Sequence, residues 1–253
     1  MVLGGYNGKI AIVDLSLGKV SYEALDEEML RSFVGGRGLG AKFLWDSPMK
    51  NGTTSEDLLG IFTGPLTGTG VPFANRLTMV FLSPLTKTIA YTHTGGYSAT
   101  ALKLAGFDGL LLVGESSTPK YLLVRKDEIV LSGADSIWGM RATDCISALR
   151  TRHGDARILS IGPAGEKLVR YANVVNDAGR ASGVRHGAGC LMGIKRIKAI
   201  VIQSDYSQRL PMQTSKRSRR YFSACHRRSK LPLFSIGKLV RFLQMALLSR
   251  WDQ

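Results

Sequence analysis

An α+β fold built on mixed or antiparallel β-sheet is predicted by three observations. Short apolar or alternating runs recur along the first 205 residues, glycine-dense turns separate them, and only brief helical patterns interrupt them. A doubly wound parallel sheet needs a crossover helix after nearly every strand, and too few are available here. The 253 residues, 44% of them hydrophobic, suffice for a sizeable core in one large domain or two small ones.

The elements follow in order. Residues 9–15 and 19–25 read as a hairpin around a turn at 16–18. Asp26 is placed to cap a helix whose first turn carries Glu27 and Glu28, whose apolar stripe is Met29, Leu30 and Phe33, and which ends at Gly35-Gly36. A second helix is predicted over 39–45. Strands are predicted at 58–63, 76–83, 88–92, 109–114, 121–126, 129–132, 157–161, 169–175 and 196–203. Short helices are expected at 98–104 and at 143–152, the latter with Ile146 and Leu149 inward. No strict internal sequence repeat is visible.

Charge divides the chain in two. The formal net charge is +15, yet residues 207–253 alone hold eleven Lys or Arg against one acidic residue, and only one of the 29 glycines. The body is thus mildly basic and the tail strongly so. Three distant cysteines, Cys145, Cys190 and Cys225, do not form a secreted disulfide framework. With no basic-then-apolar leader and no long apolar run, a cytoplasmic setting and no membrane association are expected.

Glycine clusters raise the question of nucleotide binding, and the fingerprints fail. Phe43 stands where a G-x-G-x-x-G starting at Gly38 needs glycine, Met192 does so after Gly187, and no phosphate-binding G-x-x-x-x-G-K-[ST] occurs. H-E-x-x-H, G-x-S-x-G and C-x-x-C are absent as well, so no catalytic residue is assigned. Two segments remain of interest as anion cradles. In 64–114, Arg76 begins an apolar strand, and His93 lies in a loop beside Gly95 and Gly96, whose amides a phosphate can approach. In 176–193, Arg180, Arg185 and His186 are set among small residues before a turn of helix. Each also has an ordinary reading: Arg76 as an exposed strand-end side chain, His93 as a surface residue, the glycines as tight turns. Cys190 reads as a small buried residue. The tail's KRSRR followed by Tyr221 and Phe222 reads as solvated charge, with a nucleic-acid patch as the alternative.

Together, VGGRGLGAKFLWD, GPLTGTGVPFANRLTMVFLSPLTKTIAYTHTGGY, LKLAGFDGLLLVGES, IGPAGEKLVRYANVVND and LMGIKRIKAIVI, in this order, resemble the N-terminal domain of aldehyde ferredoxin oxidoreductases over about residues 7–203. The resemblance implies two sheets related by approximate twofold symmetry, covering one side of a tungsten (in some relatives molybdenum) bis-pterin. It implies an iron-sulfur enzyme that oxidises aldehydes to carboxylates and passes electrons through a 4Fe-4S cluster to ferredoxin, in a homo-oligomer. Carried over by position, Arg76 matches the family's arginine between the pterin and the cluster, where its charge holds cofactor polar groups; His93, Gly95 and Gly96 match one cofactor loop, and Arg180, Ala181, Gly183 and Arg185 the other. The backbone carbonyls of His93 and Ala181 match the two that hold a magnesium ion between the pterin phosphates.

The sequence departs from the family in three places. Histidine replaces the common asparagine at 93. The segment RASGVRHGAGCLMG is one residue longer than the family pattern, which makes Arg185 the shifted partner of the family arginine. Family resemblance also ends near residue 205, before the cluster cysteines and acid-base residues of the family. The expected organisation is a pterin-binding domain over 1–205, inactive on its own, and a basic tail over 206–253 that is non-native or poorly ordered and reads as out-of-frame translation. The alternative is a non-catalytic scaffold whose tail contacts an acidic protein or nucleic acid.

Overall fold

The computed structural model describes residues 3–47, 58–69, 71, 73–182 and 186–207. The first hairpin pairs β1 (Lys9–Asp14) with β2 (Lys19–Ala24), Lys9 opposite Ala24. Helix α1 (Glu27–Phe33) starts where the sequence indicates: the Asp26 carboxylate accepts the Met29 amide at 2.6 Å, and Glu27 and Glu28 lie at the positive end of the helix dipole. It ends at Val34, which adopts a left-handed φ of 59°, one residue before the glycine pair predicted to stop it. Helix α2 (Arg37–Asp46) follows. Then come β3 (Leu59–Phe62), β4 (Leu77–Leu82), β5 (Ile89–Thr94), α3 (Ser98–Leu104) and β6 (Gly109–Val113).

The second half repeats this plan. It runs β7 (Lys120–Arg125), β8 (Glu128–Gly133), a 3-10 turn at Asp135–Ile137, α4 (Ala142–His153), β9 (Arg157–Ser160), α5 (Pro163–Glu166), β10 (Val174–Asn176), β11 (Ala181–Ser182), α6 (Ala188–Ile194) and β12 (Ile197–Ile202). The sheets have orders β2-β1-β6-β3-β4-β5 and β8-β7-β12-β9-β10-β11. In each, the sixth strand of the half lies parallel to the first, and the other pairings are antiparallel. The two mixed six-stranded sheets are therefore topological copies, as an approximate twofold requires.

Both faces of both sheets are covered. Ala11, Val13, Met79, Phe81 and Leu112 of the first sheet share one buried layer with Leu122, Val124, Leu159, Ile200 and Ile202 of the second. The alternate residues Ile10, Phe62, Val80 and Leu111 pack under α1 and α2, and Tyr121, Leu123, Ile158 and Val201 pack under α4 with Cys145, Ile146 and Leu149. Period-two alternation thus feeds two apolar layers, which is why central strands such as Leu59–Phe62 read as continuous apolar runs. Each fully buried Leu, Ile or Phe contributes about 1.5–3 kcal/mol.

Two predicted strands need correction, and two elements were not predicted. Strand β5 continues to Thr94, so His93 belongs to a strand and not to a loop. The strand predicted over 169–175 is only Val174–Asn176. Before it, Pro163 opens the unpredicted α5, and bonds from Val169 N to Ala164 O and from Ala172 N to Val169 O fold 164–172 into turns. The unpredicted β11 is two residues long, and its pairing with β10 was invisible to a local pattern.

A buried ion pair anchors the N-terminal segment to the last strand of the first half. Lys103 (0% exposed) and Asp108 (1%) pair directly, Lys103 Nζ also donates to Gly5 O at 2.7 Å, and Asp108 accepts from the amides of Asn7 and Gly8. Lys103→Met leaves the carboxylate buried without its cation, and we expect a loss of about 3–5 kcal/mol in denaturant unfolding. A loss below about 1 kcal/mol would show that the pair does not carry this anchor.

Candidate functional site

Helix α2 begins partway along the outer face of the first sheet, and the floor beyond its N-terminus is left open. Gly36 makes the close approach possible: with φ 49°, a Cβ there would lie 3.1 Å from Thr78 Oγ1. The resulting cleft encloses about 760 Å³. One wall is Gly35, Gly36 and Arg37, the other is the β3–β4 loop at Gly64, Pro65, Leu66 and Thr67, and Arg76, Thr78 and His93 rise from the floor. Among the described residues, the lining carries two arginines and no carboxylate.

His93 Nδ1 and Thr78 Oγ1 are 3.0 Å apart, which fixes the imidazole across the β4–β5 pair. Partial burial, then Arg37 and Arg76, hold the His93 pKa below its ordinary value of 6.5. The ring is therefore neutral at pH 7. The Arg37 guanidinium lies 4.5 Å from the centre of the Tyr91 ring, itself 5.4 Å from the His93 ring.

The edge strands β5 and β11 approach each other, so the two halves meet at this site. Asn176 bridges them. Its Nδ2 donates to Thr94 Oγ1 at 3.1 Å and to Gly95 O at 3.0 Å, while its Oδ1 accepts the amides of Ala178 and Arg180. One amide side chain thereby sets both loops. A Cβ on Gly95 would sit 3.6 Å from Arg76 Nη1 and 3.9 Å from Arg180 Nη1, so two guanidinium groups from different sheets flank bare backbone. Neither arginine has an acidic partner among the described residues.

Register makes the two loops equivalent. Thr78 opposes His93 as Val175 opposes Ala181, and Leu77 opposes Thr94 as Val174 opposes Ser182. His93 thus matches Ala181, and Arg76 matches Asn173. The Asn176 amide bonds Arg180 O at 3.0 Å. Positions in an antiparallel ladder alternate between bonded and non-bonded pairs, so Ala181 is in a non-bonded pair and its carbonyl turns away from β10.

Of the residues singled out in the sequence, Arg76, His93, Gly95, Gly96 and Arg180 gather at this junction. Ala181 lies on the adjoining edge strand, and Gly183 and Arg185 fall outside the described residues. Arg37 and Asn176 were missed. Arg37 lies in the GGRG segment, which fails the dinucleotide fingerprint and carries family resemblance without marking a site residue, and no local signal marks Asn176. The assembled groups are N–H donors and fixed positive charge beside exposed glycine amides. Such a set holds and orients a polyanion. Among the described residues, no three His, Cys, Asp or Glu side chains cluster to ligate a metal ion, so a metal here would rest on backbone carbonyls or on a bound group. No helix of the described residues is long and apolar enough to cross a membrane.

The family model for the aldehyde ferredoxin oxidoreductase N-terminal domain matches residues 10–204. The chain belongs to the aldehyde ferredoxin oxidoreductase family. A tungsten-containing aldehyde ferredoxin oxidoreductase of Pyrococcus abyssi is 39% identical over 203 residues, which are 79% of this chain and 33% of that protein. The WOR-like subunit of an aliphatic sulfonate oxidoreductase of Pyrococcus furiosus is 32% identical over 215 residues, 78% of this chain and 34% of that protein. Among solved structures, the active site complex BamBC of benzoyl coenzyme A reductase with 1,5-dienoyl-CoA superposes with a TM-score of 0.79 at 30% identity, over 92% of this chain and 36% of the other. The chain spans about a third of the length of the curated relatives it matches. It contains the N-terminal domain of a family of oxidoreductases.

The depressed His93 pKa has a thermodynamic consequence. The unfolded imidazole takes up a proton near 6.5 and the folded ring resists it, so the unfolded state binds more protons as the pH falls through 6.5, and stability drops. In His93→Asn this contribution vanishes. The fall in melting temperature between pH 7.5 and 5.5 is expected to be smaller in the variant, and an identical fall would show that the ring is not held neutral.

Proposed function

We propose that this domain forms one face of a tungsten bis-pterin site in an enzyme that oxidises aldehydes and delivers the electrons to ferredoxin. The observation that carries the reading is the convergence of Arg76, Gly95 and Arg180 from two symmetry-related edges. A dithiolene-bound tungsten (or molybdenum) centre supplies two-electron redox chemistry when bound. The protein's own groups have a different task. Arg76 and Arg180, with Arg185, neutralise and orient the anionic groups of the pterins, and Gly95, Gly96 and Gly183 let phosphates reach backbone amides. The carbonyls of His93 and Ala181 are assigned to a magnesium ion between the two phosphates. Their equivalent register, one on each half, supports a ligand with matching halves.

The fit rests on chemistry present in the fold: unpaired guanidinium groups, bare glycine backbone, and edge carbonyls turned outward. Asn176 holds the two loops at a fixed separation, so the site is organised before a ligand arrives. We further propose that the domain comprises residues 1–205 and is inactive by itself, the 4Fe-4S cluster and acid-base groups belonging to the remaining two thirds of a family member. The family match ends at 204 and β12 at Ile202, which supports that boundary. Residues 206–253, with their abrupt change in charge and glycine content, are read as out-of-frame translation.

Elemental analysis and pterin fluorescence after oxidation test the cofactor reading, on the chain co-expressed with the other two thirds of the Pyrococcus abyssi relative. Tungsten and pterin are expected together, and Arg180→Ala should lower pterin retention about 10–100-fold, the loss of a hydrogen bond to a charged group. Absence of both from the completed enzyme would refute it. The frameshift is tested in the downstream nucleotide sequence, where a C-x-x-C-x-x-x-C segment is expected in another frame, and its absence from every frame would reject the idea.

A further inference from the structure

The two halves of this fold act as internal controls for one another. At the positions of Arg76, Thr78 and His93 the second half carries Asn173, Val175 and Ala181. The strands form equally well with these side chains, so the fold does not require the Arg76 charge. The loops after β3 and β9 both begin Gly-Pro, at Gly64-Pro65 and Gly162-Pro163, and the turns before α2 and α4 both read Gly-x-Arg, at 35–37 and 139–141. Between these segments the halves diverge. In the first lies the open cleft. In the second, Glu166 at the end of α5 reaches the Gly139 amide at 3.0 Å and pairs with the buried Lys198, whose Nζ also donates to Met140 O at 2.7 Å. The second half thus fills the corresponding space with a carboxylate of its own.

Arg37 is the first residue of α2 and stands across the cleft from the β3–β4 loop. The Tyr91 ring beneath it restricts the guanidinium by cation–π contact and leaves the N–H edges free. Tyr91, His93 and Gly95 share one face of β5 by strand alternation. Arg37 therefore lies on the same side as Arg76, and no carboxylate among the described residues pairs with either.

We propose that Arg37 is a third guanidinium ligand of the anion site, acting with Arg76 to hold a phosphate-type group in the cleft of the first half. The inference rests on the cofactor reading above for the origin of that group, a phosphate of the bound pterin. It assigns the two halves different work: the second half places the Glu166 carboxylate at the Gly139 amide, paired with Lys198, and the first takes its anion from outside. A ligand with two similar halves is then bound asymmetrically, with additional positive charge on the side of α2.

The test is calorimetric titration of the full 253-residue chain with inorganic pyrophosphate, which needs no loaded enzyme. Arg37→Ala is expected to weaken pyrophosphate binding about 10–100-fold, as loss of a charged hydrogen bond does, and Arg37→Lys less. Arg141→Ala, the matching position in the second half, should leave it unchanged, and unliganded melting temperatures of the variants report any loss of folding. Arg76→Ala weakening binding while Arg37→Ala and Arg37→Lys do not would overturn the role of Arg37 and leave the cofactor reading intact. Equal losses in Arg37→Ala and Arg141→Ala would overturn the asymmetry, and no pyrophosphate binding by the wild-type chain would overturn the inference whether or not the completed enzyme holds pterin. Conversely, the expected pyrophosphate pattern without pterin or tungsten in the completed enzyme leaves an anion site standing and removes the cofactor reading.

Discussion

Phe81, Met79 and Leu112 of one sheet share a dry layer with Leu122, Leu159 and Ile200 of the other, and the positions of the loops follow from that contact. Close-packed sheets cannot slide by a residue without moving every side chain of a strand to the opposite face. With the two inner faces locked together, edge strands β5 and β11 are brought side by side, and the loops that leave them emerge at one place. Asn176 then spans the remaining gap with four hydrogen bonds. The apolar layer does not touch a ligand, yet it determines the distance between the groups that would.

Charge is handled in opposite ways in the interior and at the site. Lys103 with Asp108, and Lys198 with Glu166, are buried pairs whose remaining polar atoms meet backbone groups. Such pairs are retained only when each charge has its partner. Arg37, Arg76 and Arg180 have none among the described residues and lie together, which raises the electrostatic energy of the unliganded domain. Local departures from self-consistency of this kind concentrate where a protein binds something else. Of these, Arg76 is matched by the neutral Asn173 in the second half, so the architecture itself does not demand that charge.

The relatives act on different compounds by their names: aldehydes, an aliphatic sulfonate and a coenzyme A thioester. A domain of the same fold recurs in all three. The cleft described here offers donors and positive charge and, among the described residues, no carboxylate.

Much of the fold was legible because its signals are local. The Asp26 cap, the 9–25 hairpin, the α4 stripe of Ile146 and Leu149 and the apolar runs of β3, β4, β6, β7, β9 and β12 each depend on residues close in sequence, and each forms near the predicted limits. Strand β11 and the true extent of β10 were not legible, because a two-residue strand is defined by its partner and not by its own pattern. The motifs of the candidate site could be matched by resemblance, but their convergence could not be derived from spacing. Asn176 and Gly95 are 81 residues apart, and Arg37 reads as an ordinary helix-start residue until Tyr91 and Arg76 are placed beside it. Sequence alone determined most of the elements and the family, since periodicity and motif order are properties of the chain. The tertiary structure alone decided which charges meet, because only sheet packing brings the edges of the two halves together.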